Sequence, residues 1–280
     1  ELISLANQVR REYAGAKLEL CSIMNAKSGL CAQDCKFCAQ SRHYSTGVNT
    51  YPIKKKEEII QQALRAKEIG AQRFDIVTSG RSLSLGELEQ VAETISEIID
   101  KVGIPMCASL GSLDEKGLLL LKQAGLSRYH HNIETSPRYF PQVASTHTFA
   151  DRLKTIRAAK KAGLEVCCGG IIGMGETEED RIEMALLLKE LEVDSVPLNI
   201  LVPIKGTPLE HQESLSGVEA IRTIALFRII LKDKIIKIAA GRESVLKDFQ
   251  ALAFLAGANG MLIGGYLTIK GRQVEEDHKL

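Results

Sequence analysis

Residues 17–38 read Lys17-Leu-Glu-Leu-Cys-Ser-Ile-Met-Asn-Ala-Lys-Ser-Gly-Leu-Cys-Ala-Gln-Asp-Cys-Lys-Phe-Cys38. The first third, Lys17 to Met24, has the composition of a strand and ends near Lys27-Ser-Gly29. The run Cys31, Cys35, Cys38 follows it directly, with three and then two residues between the thiols. Such thiols can converge on one side of a tight loop. A four-iron cluster takes four Cys ligands, so a three-Cys loop leaves one iron open to a small molecule. Phe37, between the last two ligands, would shield the cluster edge. A second reading stays open at this point. Cys31, Cys35, Cys38 and His43 also make up a Cys3His zinc set, and short Cys-x-x-Cys spacings often mean zinc.

Outward from that stretch, strands and helices alternate without a break. Strands are expected at 73–77, 104–110, 128–135, 164–172, 194–202, 234–240 and 259–267. Helices are expected at 54–69, 84–101, 114–123, 148–162, 177–190, 216–231 and 245–256, several stopped by Gly70, Gly103, Gly125 or Gly163. Residues 1–16 form a preceding helix. This pattern implies right-handed parallel crossovers, and eight cycles close a (β/α)8 barrel of the TIM type, an α/β fold. No linker or low-complexity segment interrupts it, so residues 1–280 form one domain with its cluster-binding loop at 27–50. Active sites of such barrels collect at the C-terminal ends of the strands, where the cysteine loop lies.

The composition fits: 280 residues, 45% hydrophobic, formal charge +1. The charge gives no reason to invoke nucleic acid or an acidic membrane, and no run approaches the ~20 apolar residues of a membrane span. Glu1 to Arg11 shows no signal peptide, and seven cysteines without one argue for metal or redox chemistry in the cytoplasm.

Later strands carry polar residues where a core strand should be apolar. His130, Asn132 and Glu134 share one face of their strand, with His131 and Ile133 on the other. If the first set faces the lumen, it offers a carboxylate and an amide to a ribose diol or a cyclic urea. Cys168-Gly-Gly-Ile-Ile-Gly-Met-Gly-Glu176 is emptied of bulk, which suits close approach of a flat ligand. Asn199 is a single amide in an apolar strand; lone buried amides usually have structural partners.

Together these segments resemble the radical S-adenosylmethionine (SAM) enzymes and, among them, the biotin synthase family over nearly the whole length. The matching residues are the three-Cys loop, 130–136, 169–176, Asn199 with 204–208, and 240–243. The resemblance implies a [4Fe-4S] cluster on Cys31, Cys35 and Cys38, whose open iron chelates SAM. Reductive cleavage would yield a 5′-deoxyadenosyl radical that abstracts hydrogen from dethiobiotin. Sulfur from a sacrificial auxiliary cluster would then close the ring of biotin. It further implies SAM contacts from Asn132, Glu134, Arg152, Ile171 and Val202. Substrate contacts would come from His130, Asn132, Asn199 and Thr268 or Lys270. An electron donor such as flavodoxin or ferredoxin and a homodimer belong to the same expectation.

One departure stands out. The common form of the family holds a two-iron cluster with three Cys and an Arg; Cys107 and Cys167 match two of these, but Asp75 and Lys237 stand at the others. A larger, four-iron five-sulfide cluster on Cys21, Cys107 and Cys167 is expected instead, as in a branch of the family from anaerobes. Cys168 is left as a packing residue. The alternatives are another barrel of this superfamily, such as hydrogenase maturase or methylornithine synthase, or a non-catalytic iron–sulfur or zinc protein.

Overall fold

A computed structural model describes residues 1–265, 267 and 272–280. Nine strands run parallel: β1 (Glu19–Lys27), β2 (Arg73–Thr78), β3 (Met106–Ser109), β4 (Arg128–His130), β5 (Glu165–Cys167), β6 (Gly170–Ile172), β7 (Ser195–Ile200), β8 (Ile235–Ile238) and β9 (Gly260–Leu262). Apart from β5 and β6, consecutive strands pair, β9 returns to β1, and both β5 and β6 pair with β7. The sheet is therefore a closed barrel of eight staves, with β5 and β6 as two halves of one stave. The expected (β/α)8 architecture is observed.

Helices cover the outside: α1 (Leu2–Val9), α2 (Lys56–Glu68), α3 (Leu85–Lys101), α4 (Glu115–Gln123), α5 (Phe140–Val143), α6 (Phe149–Lys161), α7 (Glu178–Glu190), α8 (Gly217–Leu231), α9 (Arg242–Val245), α10 (Gln250–Leu255) and α11 (Val274–Asp277). Four of them begin in a reciprocal cap, Ser84/Glu87, Thr148/Asp151, Thr177/Asp180 and Ser216/Glu219. Each cap satisfies backbone N–H groups that a helix start leaves open, and fixes where the loop from the preceding strand ends.

Alternation along each strand sorts the side chains into two compartments. Phe74 and Ile76 are fully buried in the apolar layer under the helices. Glu19, Arg73, Arg128 and Lys237 point the other way and meet inside the barrel. Cys168 packs in the apolar layer, whereas Cys21, Cys107 and Cys167 are buried outside it.

Besides the strand expected at 164–172, which is split into β5 and β6, three expected elements differ. The first helix gives way to a π-helical turn at Arg10–Ala14. The helix expected at 245–256 is broken into α9, a 3-10 turn (Lys247–Phe249) and α10, because Lys247 adopts a left-handed φ of 47°. The strand expected at 128–135 pairs regularly only to His130. Beyond it, Ile133 and Glu134 both donate to Gly169 O, and Glu134 turns to φ 70°. That conformation is uncommon for a residue with a Cβ and costs on the order of 1–3 kcal/mol.

Candidate functional site

The cysteine loop is tied down by its own backbone. Cys31 N donates to Gln40 O and Arg42 N to Cys31 O, while Cys38 N closes a turn on Cys35 O. Gly29 N donates to the Gln40 side chain at 3.1 Å. Across the barrel mouth, the Asp34 carboxylate accepts from the backbone of Ser145 and Thr146, and Lys36 N reaches Val143 O. Phe37 packs beside Cys35, Cys38 and Phe140, as a shield would.

Burial pushes the Cys35 thiol up to about 12 and that of Cys38 up to about 11. Cys31, Glu134 and Arg152 all act on both. Cys35 and Cys38 thus share one environment with Arg152 as a nearby cation, a setting that bound iron would complete. Among the described residues no three His, Cys, Asp or Glu side chains gather closely enough for a single ion. His43 Nε2 sits 3.1 Å from Ala32 O, turned into its own loop. Three thiols on one loop are the donor set that a four-iron cluster with one open iron would take.

Beside the loop lie Glu134 and Arg152. Arg152 Nη1 is 3.3 Å from Glu134 Oε1 and donates to Asn132 O at 3.2 Å, while its buried Nε has no partner. A buried guanidinium with a spare N–H suits a ligand carboxylate. Ile171 packs with Phe37, Tyr139 and Met174, and Val202 is half-buried near the end of β7.

Gly169 and Gly170 are also required by the barrel itself. A Cβ on Gly169 would meet Pro197 O at 2.0 Å, and one on Gly170 would meet Glu134 O at 2.4 Å. Glu176 likewise works inward: its carboxylate accepts from Gly173 N, Met174 N and Arg181 Nε, each at 2.7 Å.

Deeper in the lumen sit Cys21, Cys107 and Cys167. Burial pushes Cys21 up to about 11 and Cys107 higher; Cys21 acts electrostatically on Cys107, and Cys167 on Cys21. Lys237 Nζ donates to Cys21 Sγ at 3.0 Å and pairs with Glu19 at 2.8 Å. Arg128 binds Glu19 at 2.7 Å and Glu165 at 2.9 Å, and Arg73 joins both carboxylates. Burial alone would raise Glu19, but Lys237 and Arg128 outweigh it and hold it at about 2. The sequence reading missed this charged layer. Its signal was there: Glu19/Cys21, Arg73/Asp75 and Arg128/His130 alternate with apolar residues.

Between the two levels, His130 lies 3.1 Å from Asp75 Oδ2 and 3.0 Å from Asn132 Oδ1. Burial opposes a charged ring, but charge at Cys167 and the Asp75 carboxylate prevail and His130 rises to about 9. Both its ring nitrogens are therefore committed within the protein. Asn199 is also engaged, donating to Gly170 O and accepting from Ala240 N, each at 3.2 Å. Thr268 and Lys270 lie outside the described residues.

Comparison with known proteins gives this geometry a context. A sequence profile of the Radical SAM superfamily matches residues 27–188, and one of the Biotin and Thiamin Synthesis associated domain matches residues 197–280. A biotin synthase of Thermotoga petrophila is 56% identical over 281 residues, spanning 100% of this chain and 93% of that protein. One of Pelotomaculum thermopropionicum is 50% identical, spanning 99% and 86%. Among solved structures, methylornithine synthase superposes with a TM-score of 0.82 at 23% identity, covering 96% of this chain and 79% of that one. The FeFe-hydrogenase maturase of Carboxydothermus hydrogenoformans gives 0.86 at 20%, covering 99% and 69%. Those two likenesses concern the fold.

Proposed function

The chain belongs to the biotin synthases of the radical SAM superfamily, and from that premise we propose how its residues divide the work. It is an enzyme that inserts sulfur into dethiobiotin to form biotin. With SAM bound, the [4Fe-4S] cluster of this family supplies a 5′-deoxyadenosyl radical, and an auxiliary iron–sulfur cluster supplies the sulfur.

Cys31, Cys35 and Cys38 hold the first cluster. Arg152 takes the SAM carboxylate, Asn132 and Glu134 the ribose, and Ile171 and Val202 pack against the adenine. Asn199, from its tie between β6 and the end of β8, has one N–H left for the substrate. Cys21, Cys107 and Cys167 hold a four-iron, five-sulfide auxiliary cluster. What supports that set is the separation of Cys168 from it into the apolar layer, and the presence of Lys237 against Cys21. Phe37 and the apolar residues around it keep water from the space above the loop. A reduced flavodoxin or ferredoxin as electron donor, a homodimer and a cytoplasmic location complete the reading. Seven free cysteines agree with a reducing compartment, and among the described residues no helix is long and apolar enough to cross a membrane.

The observation that carries the reading is one lumen with three thiols at its mouth beside Glu134 and Arg152, and three more below. Anaerobically reconstituted, reduced protein given SAM and dethiobiotin should yield biotin together with deoxyadenosine. Deoxyadenosine without biotin would break the assignment of the lower thiols.

A further inference from the structure

The amide of Asn132 has only one orientation open to it. Gly169 N–H, a donor and nothing else, points at Asn132 Oδ1 from 3.1 Å. A flipped amide would set two donors against each other, so the oxygen faces Gly169. His130 Nε2 approaches the same oxygen at 3.0 Å and must carry hydrogen. Its Nδ1 lies 3.1 Å from Asp75 Oδ2, the two sharing one hydrogen between them. Asp75 is 6% exposed, and its other oxygen has no partner, so the ring is its one hydrogen-bonding contact among the described residues.

With both lone pairs of Oδ1 occupied, Asn132 presents only its Nδ2 to the site. Glu134 Oε2 stands 3.5 Å from that nitrogen, at the edge of hydrogen-bonding range. We propose that Asp75 and His130 are positioning residues that hold Asn132 as a donor-only amide, matched to an acceptor oxygen on the ligand. That oxygen is a ribose hydroxyl of SAM or the ureido carbonyl of dethiobiotin. The proposal rests on the reading of Asn132 as a ligand contact. It gives His130 a role that needs no touch on the substrate, and it gives Asp75 a use at a position where the common family pattern has cysteine.

The test is equilibrium dialysis of labelled SAM and labelled dethiobiotin on cluster-loaded protein, with iron content measured alongside. Asp75→Asn should weaken one ligand about ten-fold, leave the other ligand and the iron content unchanged, and be largely rescued by Asp75→Glu. Asn132→Ala should weaken the same ligand, and the double variant should be no worse than Asn132→Ala alone. The ligand affected tells ribose from ureido oxygen. Parent-like affinities in Asp75→Asn, or additive losses in the double variant, overturn the brace while leaving Asn132 as a contact. Unchanged affinities in Asn132→Ala overturn the contact itself, and the brace with it. If Asp75→Asn fails to take up iron, His130→Gln, which removes the ring without altering β2, is read by the same criteria.

Discussion

The two sets of three thiols in this barrel are held by opposite means. Those at the mouth stand on a loop shaped by backbone hydrogen bonds, with Arg152 nearby. Those below stand on β1, β3 and β5, where the sheet fixes their spacing, within reach of Lys237 and Arg128. The upper set can therefore present a vacant side to a ligand. The lower set is enclosed, with fixed cations beside it. A site that exchanges its ligand at every turnover suits the first arrangement, and a store of sulfur that must not leak suits the second.

The largest effect expected from this contrast is at the mouth. Cys35→Ala should abolish deoxyadenosine formation while the far-ultraviolet circular dichroism of the barrel stays that of the parent; persisting SAM cleavage would remove the loop from the mechanism. In the lower set, Cys21→Ala should lose about half the iron and all biotin formation, yet still cleave SAM. Iron content and biotin yield equal to the parent would show Cys21 to be a buried apolar filler.

The charged layer should respond as structure rather than chemistry. Lys237→Met leaves the half-buried Glu19 with one fewer partner, and denaturant melts should show a loss of about 3 kcal/mol. Asn199→Ala removes two backbone ties and should weaken dethiobiotin more than SAM, by on the order of 1–3 kcal/mol; equal losses would make it a purely structural clamp. The smallest effect is at the cap of α7. Burial would raise Asp180, but hydrogen bonds from Thr177 N, Ser136 and Arg138 hold it at about 2, below its ordinary 3.8. The stability it adds over Asp180→Asn is thus complete above that ordinary value and fades as the pH falls through about 2. The gap at neutral pH should be about 1 kcal/mol, and a gap that widened in acid would contradict the assignment.

The barrel was legible because its signals are periodic and local: helical spacing closed by glycine, strands of alternating character, and a cysteine run after the first of them. Ends of strands were read less well. Ile133 and Glu134 sharing one acceptor depends on Gly169, thirty-odd positions along the chain, and no local pattern announces it. Residue types named the participants at the site, yet their commitments are set across strands. His130 and Asn199 read as substrate contacts by resemblance, and each is engaged within the protein, His130 by Asp75 two staves away and Asn199 by Gly170 O and Ala240 N. Gly169 and Gly170 read as room for a ligand, and the barrel needs them small as well, for Pro197 O and Glu134 O.

The loop that carries Cys31, Cys35 and Cys38 is anchored through Asp34 and Lys36 to the segment around α5, with no metal needed for any of those bonds. None of those bonds uses a thiol side chain. Metal uptake should therefore resemble docking onto a set frame, unlike a zinc finger, which folds only around its ion. Fixing a residue's backbone costs about 1–2 kcal/mol, and the barrel meets that cost across the loop in advance. Oxidative loss of the cluster should then leave a chain that keeps its shape and can be refilled, so that damage by oxygen is a matter of repair rather than of refolding.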